Sequence, residues 1–294
     1  MPPDVSARAR IGAGMLVLGE LIVQDGGAAI AVRIFPSVGV FGVIALRVAF
    51  SALVLLLVAR PRPPRRLAEW GVIAGFGLVI AVMNTSFYLA AARIPLATTV
   101  TIEVLGPLVL SVVMARRPIA WLWAGLGVAG VVLLWGLDLH RLDPLGVAFA
   151  AVSALSWAAY ILASAESGRR FPRPLDGLAW AMAIAAVLTL PAGIATAGAR
   201  IVLPVNLGLG LLVAVLSSAI PYGVEQVALR RLHPSPFGVL MSMSPGIAAG
   251  VGFVILAQAL TIADAIAIVL VVAASVGAVL TAPRRRPAIA EPVA

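Results

Sequence analysis

Apolar blocks of about 20 residues, every second one closed by a short run of arginines, recur from one end of this chain to the other. A block of that length, wound as a helix, crosses the ~30 Å hydrocarbon core of a bilayer. Only 11% of the 294 residues are charged and 62% are hydrophobic; a soluble domain carries about 25% charged residues. Too few polar side chains remain to cover a water-facing globule. The fold class read from this pattern is an all-α membrane protein with ten transmembrane helices. The spans fall at 11–34, 38–59, 69–91, 95–115, 118–136, 144–164, 176–197, 205–229, 236–257 and 261–281. Only Arg93-Ile94-Pro95 separates the third from the fourth, and proline disfavours helix at the residue before it, which suits a tight turn. Arg8 and Arg10 precede the first block as in a signal peptide. The block continues past 20 residues without a small-residue cleavage site, so it is read as an uncleaved span.

The net charge of +9 comes entirely from arginine, since all 21 basic residues are of that type. They lie in short groups between apolar blocks, which argues against a nucleic-acid-binding stripe and carries topological information instead. With the N-terminus inside, 16 arginines fall on the inner side and four (Arg33, Arg93, Arg141, Arg200) in outer loops, with Arg47 left inside a span. Both termini are therefore expected in the cytoplasm, in a multi-pass protein of a bacterial inner membrane. Trp70, Trp121, Trp123, Trp135 and Trp180 fall near span ends, where an aromatic belt sits; Trp157 lies well inside its helix. There is no cysteine, hence no disulfide and no Cys metal site, and His140 and His233 both fall in loops. Neither metal nor cofactor is expected.

A shift of 138 residues lays the fourth span on the ninth, Arg93 on Arg231 and Pro107 on Pro245, and maps five spans onto five. An odd number of spans per half inverts the second half, the architecture of carriers that open alternately to either face. The expected organisation is a first five-helix repeat at 1–137, an inverted second repeat at 138–282, and a basic cytoplasmic tail at 283–294.

A charge at mid-membrane costs at least ~2.5–3.5 kcal/mol, so each one needs a reason. Glu103 sits midway along the fourth span, four residues before Pro107, whose missing N–H frees the carbonyl of residue 103. Such a site is tolerable against a cavity or a polar partner; the alternative is a packing kink with Glu103 paired structurally. Pro245 frees the carbonyl of Met241 beside Ser242 and Ser244, and Pro221 frees that of Ser217 beside Ser218 and Tyr222. The first span carries Glu20 and Gln24 on one face and Asp25 about 100° further round, followed by Gly26 and Gly27. That glycine pair is read either as a bend lining a pathway or as close packing, with an acid neutralising Arg47. Asn84 and Tyr88, and likewise Trp157 and Tyr160, share helical faces at mid-span and have polar groups to satisfy. Glu225 lies near Arg230 and Arg231, which favours an ion pair over a coupling role.

At these residues the sequence resembles the EamA family of the drug/metabolite transporter superfamily, and most of all its threonine/homoserine exporter branch. The resemblance is carried by Gln24 and the following glycines, Arg33-Ile34-Phe35-Pro36, Ala45-Leu46-Arg47 and Arg93-Ile94-Pro95-Leu96. It continues through Glu103-x-x-Gly106-Pro107-Leu108, Arg116-Arg117-Pro118 and Ser156-Trp157-Ala158-Ala159-Tyr160-Ile161-Leu162. Pro221-Tyr222, Glu225 and Phe237-Gly238-Val239-Leu240-Met241-Ser242-Met243-Ser244-Pro245 complete it. The resemblance implies ten helices in two inverted halves around a central cavity, and export of amino acids or related metabolites. It would place Glu before the second-half proline, where Ser244 stands, and Gly-Glu where Ala257-Gln258 stand.

The function expected from sequence is a secondary transporter, not an enzyme, that exports amino acids by alternating access. Gln24, Asn84, Tyr88, Glu103, Trp157, Tyr160, Tyr222, Ser242 and Ser244 would line the substrate cavity. Glu20, Asp25, Arg47 and Glu225 would serve coupling or ion pairing, and Pro107, Pro221 and Pro245 would kink their helices. The alternative transporter exports lipophilic or cationic solutes, with Trp157, Tyr160 and Tyr222 stacking on the cargo. A membrane enzyme would need a convergent nucleophile–base or metal constellation, which these residue types do not supply. The expected partners are a small-molecule substrate and the lipid bilayer, with no nucleic acid, and the expected unit is a monomer. The arginine asymmetry is testable directly. Single cysteines at Pro64, Gly168 and Ala290 should be shielded from a membrane-impermeant maleimide in intact cells, and those at Leu142 and Arg200 labelled. Labelling at Ala290 would make the span count odd and remove the argument for inverted halves.

Overall fold

The computed structural model describes residues 7–115, 118–135, 142–171, 173–221 and 241–281. Among these residues all regular structure is helical, with no strand. Six of the described helices are long and apolar enough to cross a membrane, at Leu18–Ala59, Leu67–Ala91, Leu96–Met114, Pro144–Arg170, Leu175–Val202 and Ile262–Thr281.

Helix α1, Ala7–Ala59, joins two arms across Gly39, whose φ of 74° and ψ of 167° are not helical. Sequence reasoning placed this turn at 35–37, beside Pro36. The chain instead stays helical through Pro36 and breaks at the residue that reaches positive φ without a Cβ penalty. Gly26 and Gly27, read as a possible bend, are helical. Gly27 abuts Leu216 and Ser217 so closely that any Cβ would collide with them, so its role is close packing.

Helix α2 spans Leu67–Ala91. The fourth span, expected as one helix over 95–115, is two: α3, Leu96–Glu103, and α4, Leu105–Ala115, divided at Val104. Pro107 explains the division, because it has no N–H to continue the ladder onto residue 103. Helices α5, Pro118–Trp135, and α6, Pro144–Arg170, follow. Asp143 caps α6 by accepting from Leu145 N at 2.9 Å. Then come α7, Pro174–Ala197, a 3₁₀ turn at Gly198–Val202, and α8, Pro204–Ala214. Helix α8 runs into a π-helical turn at Val215–Ala219. A turn at 242–243 precedes α9, Ser244–Leu256, which carries Pro245 in its first turn, and α10 is Ile262–Thr281.

Helix α1 packs most extensively on α7 and also runs against α8, α9 and the π-helical turn, while α2 lies on α6 and α7 and α5 on α10. Small residues make these approaches possible: Ala31, Ala45, Ala179, Ala181 and Ala185 are fully buried at the contacts, as membrane helices require in the absence of a hydrophobic driving force between them. The outward surface is apolar, with Leu57, Val58, Val187, Phe253, Val254 and Val269 exposed. Hydroxyls within the helices turn back onto the preceding turn, as Ser51 does to the Arg47 carbonyl at 2.6 Å and Thr101 to that of Ala97 at 2.6 Å. No water is needed to satisfy them.

The two ends of the bundle carry different contacts. At one end the arginine-rich segments meet: Trp180 Nε1 donates to the Arg62 carbonyl at 3.1 Å and Arg170 to that of Ala68 at 3.3 Å. At the other, Arg93 pairs with Asp143 at 3.5 Å. There Arg33 Nε donates to the Ile255 carbonyl at 2.9 Å, and the Leu96 N–H donates to Gln258 Oε1 at 3.0 Å.

Gly106 marks the closest helix approach among the described glycines. A Cβ there would sit on the carbonyl of Ala154 in α6, and backbone cannot retreat as a flexible side chain would. Gly106→Ala is expected to cost about 1–3 kcal/mol through overpacking, read as a lowered unfolding midpoint in detergent. An unchanged midpoint would show that α4 and α6 separate freely.

Candidate functional site

Polar and charged side chains from α1, α2, α3, α6, the π-helical turn and the first residue of α9 converge on a cavity of about 90 Å³. One water needs roughly 10–15 Å³ of such volume, so the space suits a few waters or a small solute. Gln24, Asn84, Tyr88, Glu103, Trp157, Tyr160 and Ser244 line it, as do Glu20, Asp25 and Arg47. Ser242 is buried but not on the wall. Tyr222 and Glu225 lie outside the described residues.

Arg47, only 8% exposed, lies on the second arm of α1. It donates to Asn84 Oδ1 of α2 through one terminal nitrogen and to the Ser217 carbonyl at 2.8 Å through the other. The Ser217 carbonyl is the one that Pro221 leaves without an i+4 donor. In the π-helical turn around it, the Ile220 N–H reaches back to the carbonyl of Val215. Asn84 is itself oriented, because its Nδ2 donates to the Ile80 carbonyl at 2.8 Å. The Arg47 guanidinium also lies 5.3 Å from the centroid of the Tyr88 ring, a cation–π geometry. Tyr88 is held edge-on by Phe35 and Phe87, with centroids 6.1 and 5.2 Å away. Among the described residues no acid forms the ion pair with Arg47 that the sequence offered as an alternative; its acceptors there are neutral.

The acids form the second cluster. Glu103 ends α3 and accepts from the Ser153 hydroxyl of α6 at 2.5 Å. Asp25, 3% exposed, feels the charges of Glu103 and Glu20 and has the Ser244 hydroxyl placed to donate to it. Glu103 is close enough to Arg47 to be attracted by it. The break at Val104 and the approach permitted by Gly106 together bring Glu103 onto α6.

Four lining residues were not singled out from the sequence: Ala28, Met83, Phe87 and Val100. None carries charge, and a hydrophobic residue on a hydrophobic helix leaves no signal of which face it occupies. Ser153 was also missed. Its signal was present, because it precedes Trp157 by four residues and so shares a face with it. No group of three or more metal-ligating His, Cys, Asp or Glu side chains gathers among the described residues.

The chain as a whole has relatives among known proteins. Residues 144–280 match the model of the EamA-like transporter family. The threonine/homoserine exporter RhtA of Salmonella typhimurium strain LT2 is 38% identical over 266 residues, covering 90% of this chain and 89% of the relative. RhtA of Escherichia coli K12 is 36% identical over 270 residues, covering 91% of each. A solved crystal structure superposes with a TM-score of 0.63 over 92% of this chain and 98% of that one. At 22% identity that likeness speaks to the fold alone.

The grip on Arg47 makes a prediction. Asn84→Ala removes the side-chain acceptor while the charge stays buried, at a cost of about 1–3 kcal/mol. Thermal unfolding in detergent should show a lowered midpoint. Stability equal to the parent protein would mean that Asn84 does not hold Arg47.

Proposed function

This chain belongs to the EamA-like transporter family, and we propose that it exports amino acids, threonine and homoserine among them, from the cytoplasm by alternating access. The observation that carries the reading is a small buried cavity lined by an arginine that forms no ion pair among the described residues and by three acids. An amino acid carries both charges on adjacent carbons, and such a cavity can meet both. The curated relatives are named as threonine/homoserine exporters.

Broken helices support a carrier. Irregular backbone at membrane depth is tolerated where it lines a cavity, and it occurs here at Val104, at 215–219 and at 242–243. Adding the 138-residue shift to position 104 gives 242, so the breaks in α3–α4 and before α9 correspond. That correspondence supports ten spans in two inverted halves, 1–137 and 138–282. The meeting of the segments around Arg62 and Arg170 at one end, and of Arg93 with Asp143 at the other, supports cytoplasmic termini in an inner membrane. Export of lipophilic or cationic solutes is less well served. Tyr160 packs on Phe76 at 5.3 Å and the Tyr88 face is occupied by Arg47, and drug-sized ligands fill about 300–1,000 Å³.

Counter-flow in proteoliposomes tests the class: preloaded threonine should accelerate uptake of labelled threonine. Failure with every amino acid in a panel would remove the reading. Glu103→Gln keeps shape and hydrogen bonding but removes charge. If Glu103 meets the substrate ammonium, directly or through water, exchange and net flux both fall. Should exchange survive while the response to a pH gradient disappears, Glu103 carries the coupling proton instead. Unchanged flux and pH response would make it structural.

A further inference from the structure

We infer that Arg47 is the receptor for the substrate's carboxylate, and that the cavity therefore selects zwitterions over amines of the same shape. The inference rests on the export reading above and assigns the orientation of the solute within that site.

A guanidinium in a membrane interior is ordinarily neutralised by an acid, and three acids line the same cavity. Even so, its hydrogen-bond acceptors among the described residues are neutral, the Asn84 amide oxygen and the Ser217 carbonyl. Among the described residues no carboxylate lies within ion-pair distance of it. Its Nε is buried without a partner. Among the described residues the side chain is thus oriented by two acceptors and an aromatic face without an ion pair, and a planar fork of N–H donors is the group that best matches a carboxylate.

The acids behave in the complementary way. Asp25 and Glu103 lie near each other, and each has a hydroxyl of its own, Ser244 beside Asp25 and Ser153 donating to Glu103. One buried oxygen of Asp25 has no hydrogen-bond partner. Their combined charge favours a cation, and an ammonium supplies three donors. Opposite charges held apart in one small cavity fit a solute whose own charges are opposite and adjacent. An amine without a carboxylate would leave Arg47 without a counter-charge, and a carboxylate without an amine would leave the acids repelling one another. Lysine at position 47 would keep the charge and lose the fork.

The test uses the full-length protein in detergent and in proteoliposomes with three probes. They are L-threonine, threoninol, in which a hydroxymethyl group replaces the carboxylate, and 3-hydroxybutyrate, which lacks the ammonium. In the parent protein, threoninol and 3-hydroxybutyrate should each compete for threonine counter-flow roughly 10- to 100-fold more weakly than threonine itself, the loss expected for one charge-assisted contact. Only threonine should raise the thermal midpoint. Arg47→Gln should weaken threonine until it matches threoninol within about threefold, leaving threoninol unchanged, and Arg47→Lys should fall between. Equal competition by threonine and threoninol in the parent protein would overturn the inference without any variant, so a misfolded Arg47→Gln cannot shelter it. An Arg47→Gln protein that keeps the parent discrimination would also overturn it. Parent protein that carries no amino acid would instead overturn the export reading, and this inference with it.

Discussion

The tie from Arg47 to Asn84 and to the Ser217 carbonyl is the interaction on which the site depends. In hydrocarbon there is no water to take over a lost hydrogen bond, so a charge and a freed carbonyl each require a protein partner. Here they satisfy each other. Pro221 withdraws the donor that Ser217 would have had, and Arg47 supplies another from a different helix. One contact thereby fixes the second arm of α1, α2 and the turn after α8 around a common centre. Gly27 lets the first arm of α1 come against that turn. The Tyr88 ring, wedged between Phe35 and Phe87, completes the frame.

The acidic side of the cavity is built by a second irregularity. Pro107 and Val104 divide the fourth span, and the division ends α3 at Glu103. Gly106 then brings α4 into contact with the Ala154 carbonyl, which puts Ser153 within 2.5 Å of the Glu103 carboxyl. The kink, the missing side chain and the hydroxyl act as one unit. Straightening the helix would carry Glu103 away from α6 and leave a buried acid to find another donor.

Two departures from the resembling exporters gain a physical reading. Where Glu was expected before the second-half proline, Ser244 presents a hydroxyl to Asp25, so a donor replaces what would have been a further acid beside three others. Where Glu was expected after α9, Gln258 accepts from the Leu96 N–H at the start of α3. The amide keeps the acceptor that an unpaired helix N-terminus needs and omits the charge. Arg33 holds the C-terminal carbonyl of Ile255 nearby, where a cation is favoured by the helix dipole.

The all-helical membrane class and most of the residues on the cavity wall were legible in the chain itself. Apolar block length measures bilayer thickness, and a charged or aromatic-polar residue inside such a block is costly enough to announce a site. Gln24, Asn84, Glu103 and Trp157 were legible for that reason. The prolines were equally legible, since a missing N–H at 107 or 221 frees a nameable carbonyl whatever the fold. What the chain alone left open was who answers each of these groups. Asp25 and Asn84 were both available to Arg47, and only the packing of α2 beside α1 chose the amide. Ser153 became a partner of Glu103 only through the crossing at Gly106. The turn fell at Gly39 rather than beside Pro36, and Ser242 turned off the wall that Met241 joined. Local sequence determines which groups cannot stay unpaired in lipid, whereas pairing is decided by distances across helices, which exist only after the helices have packed.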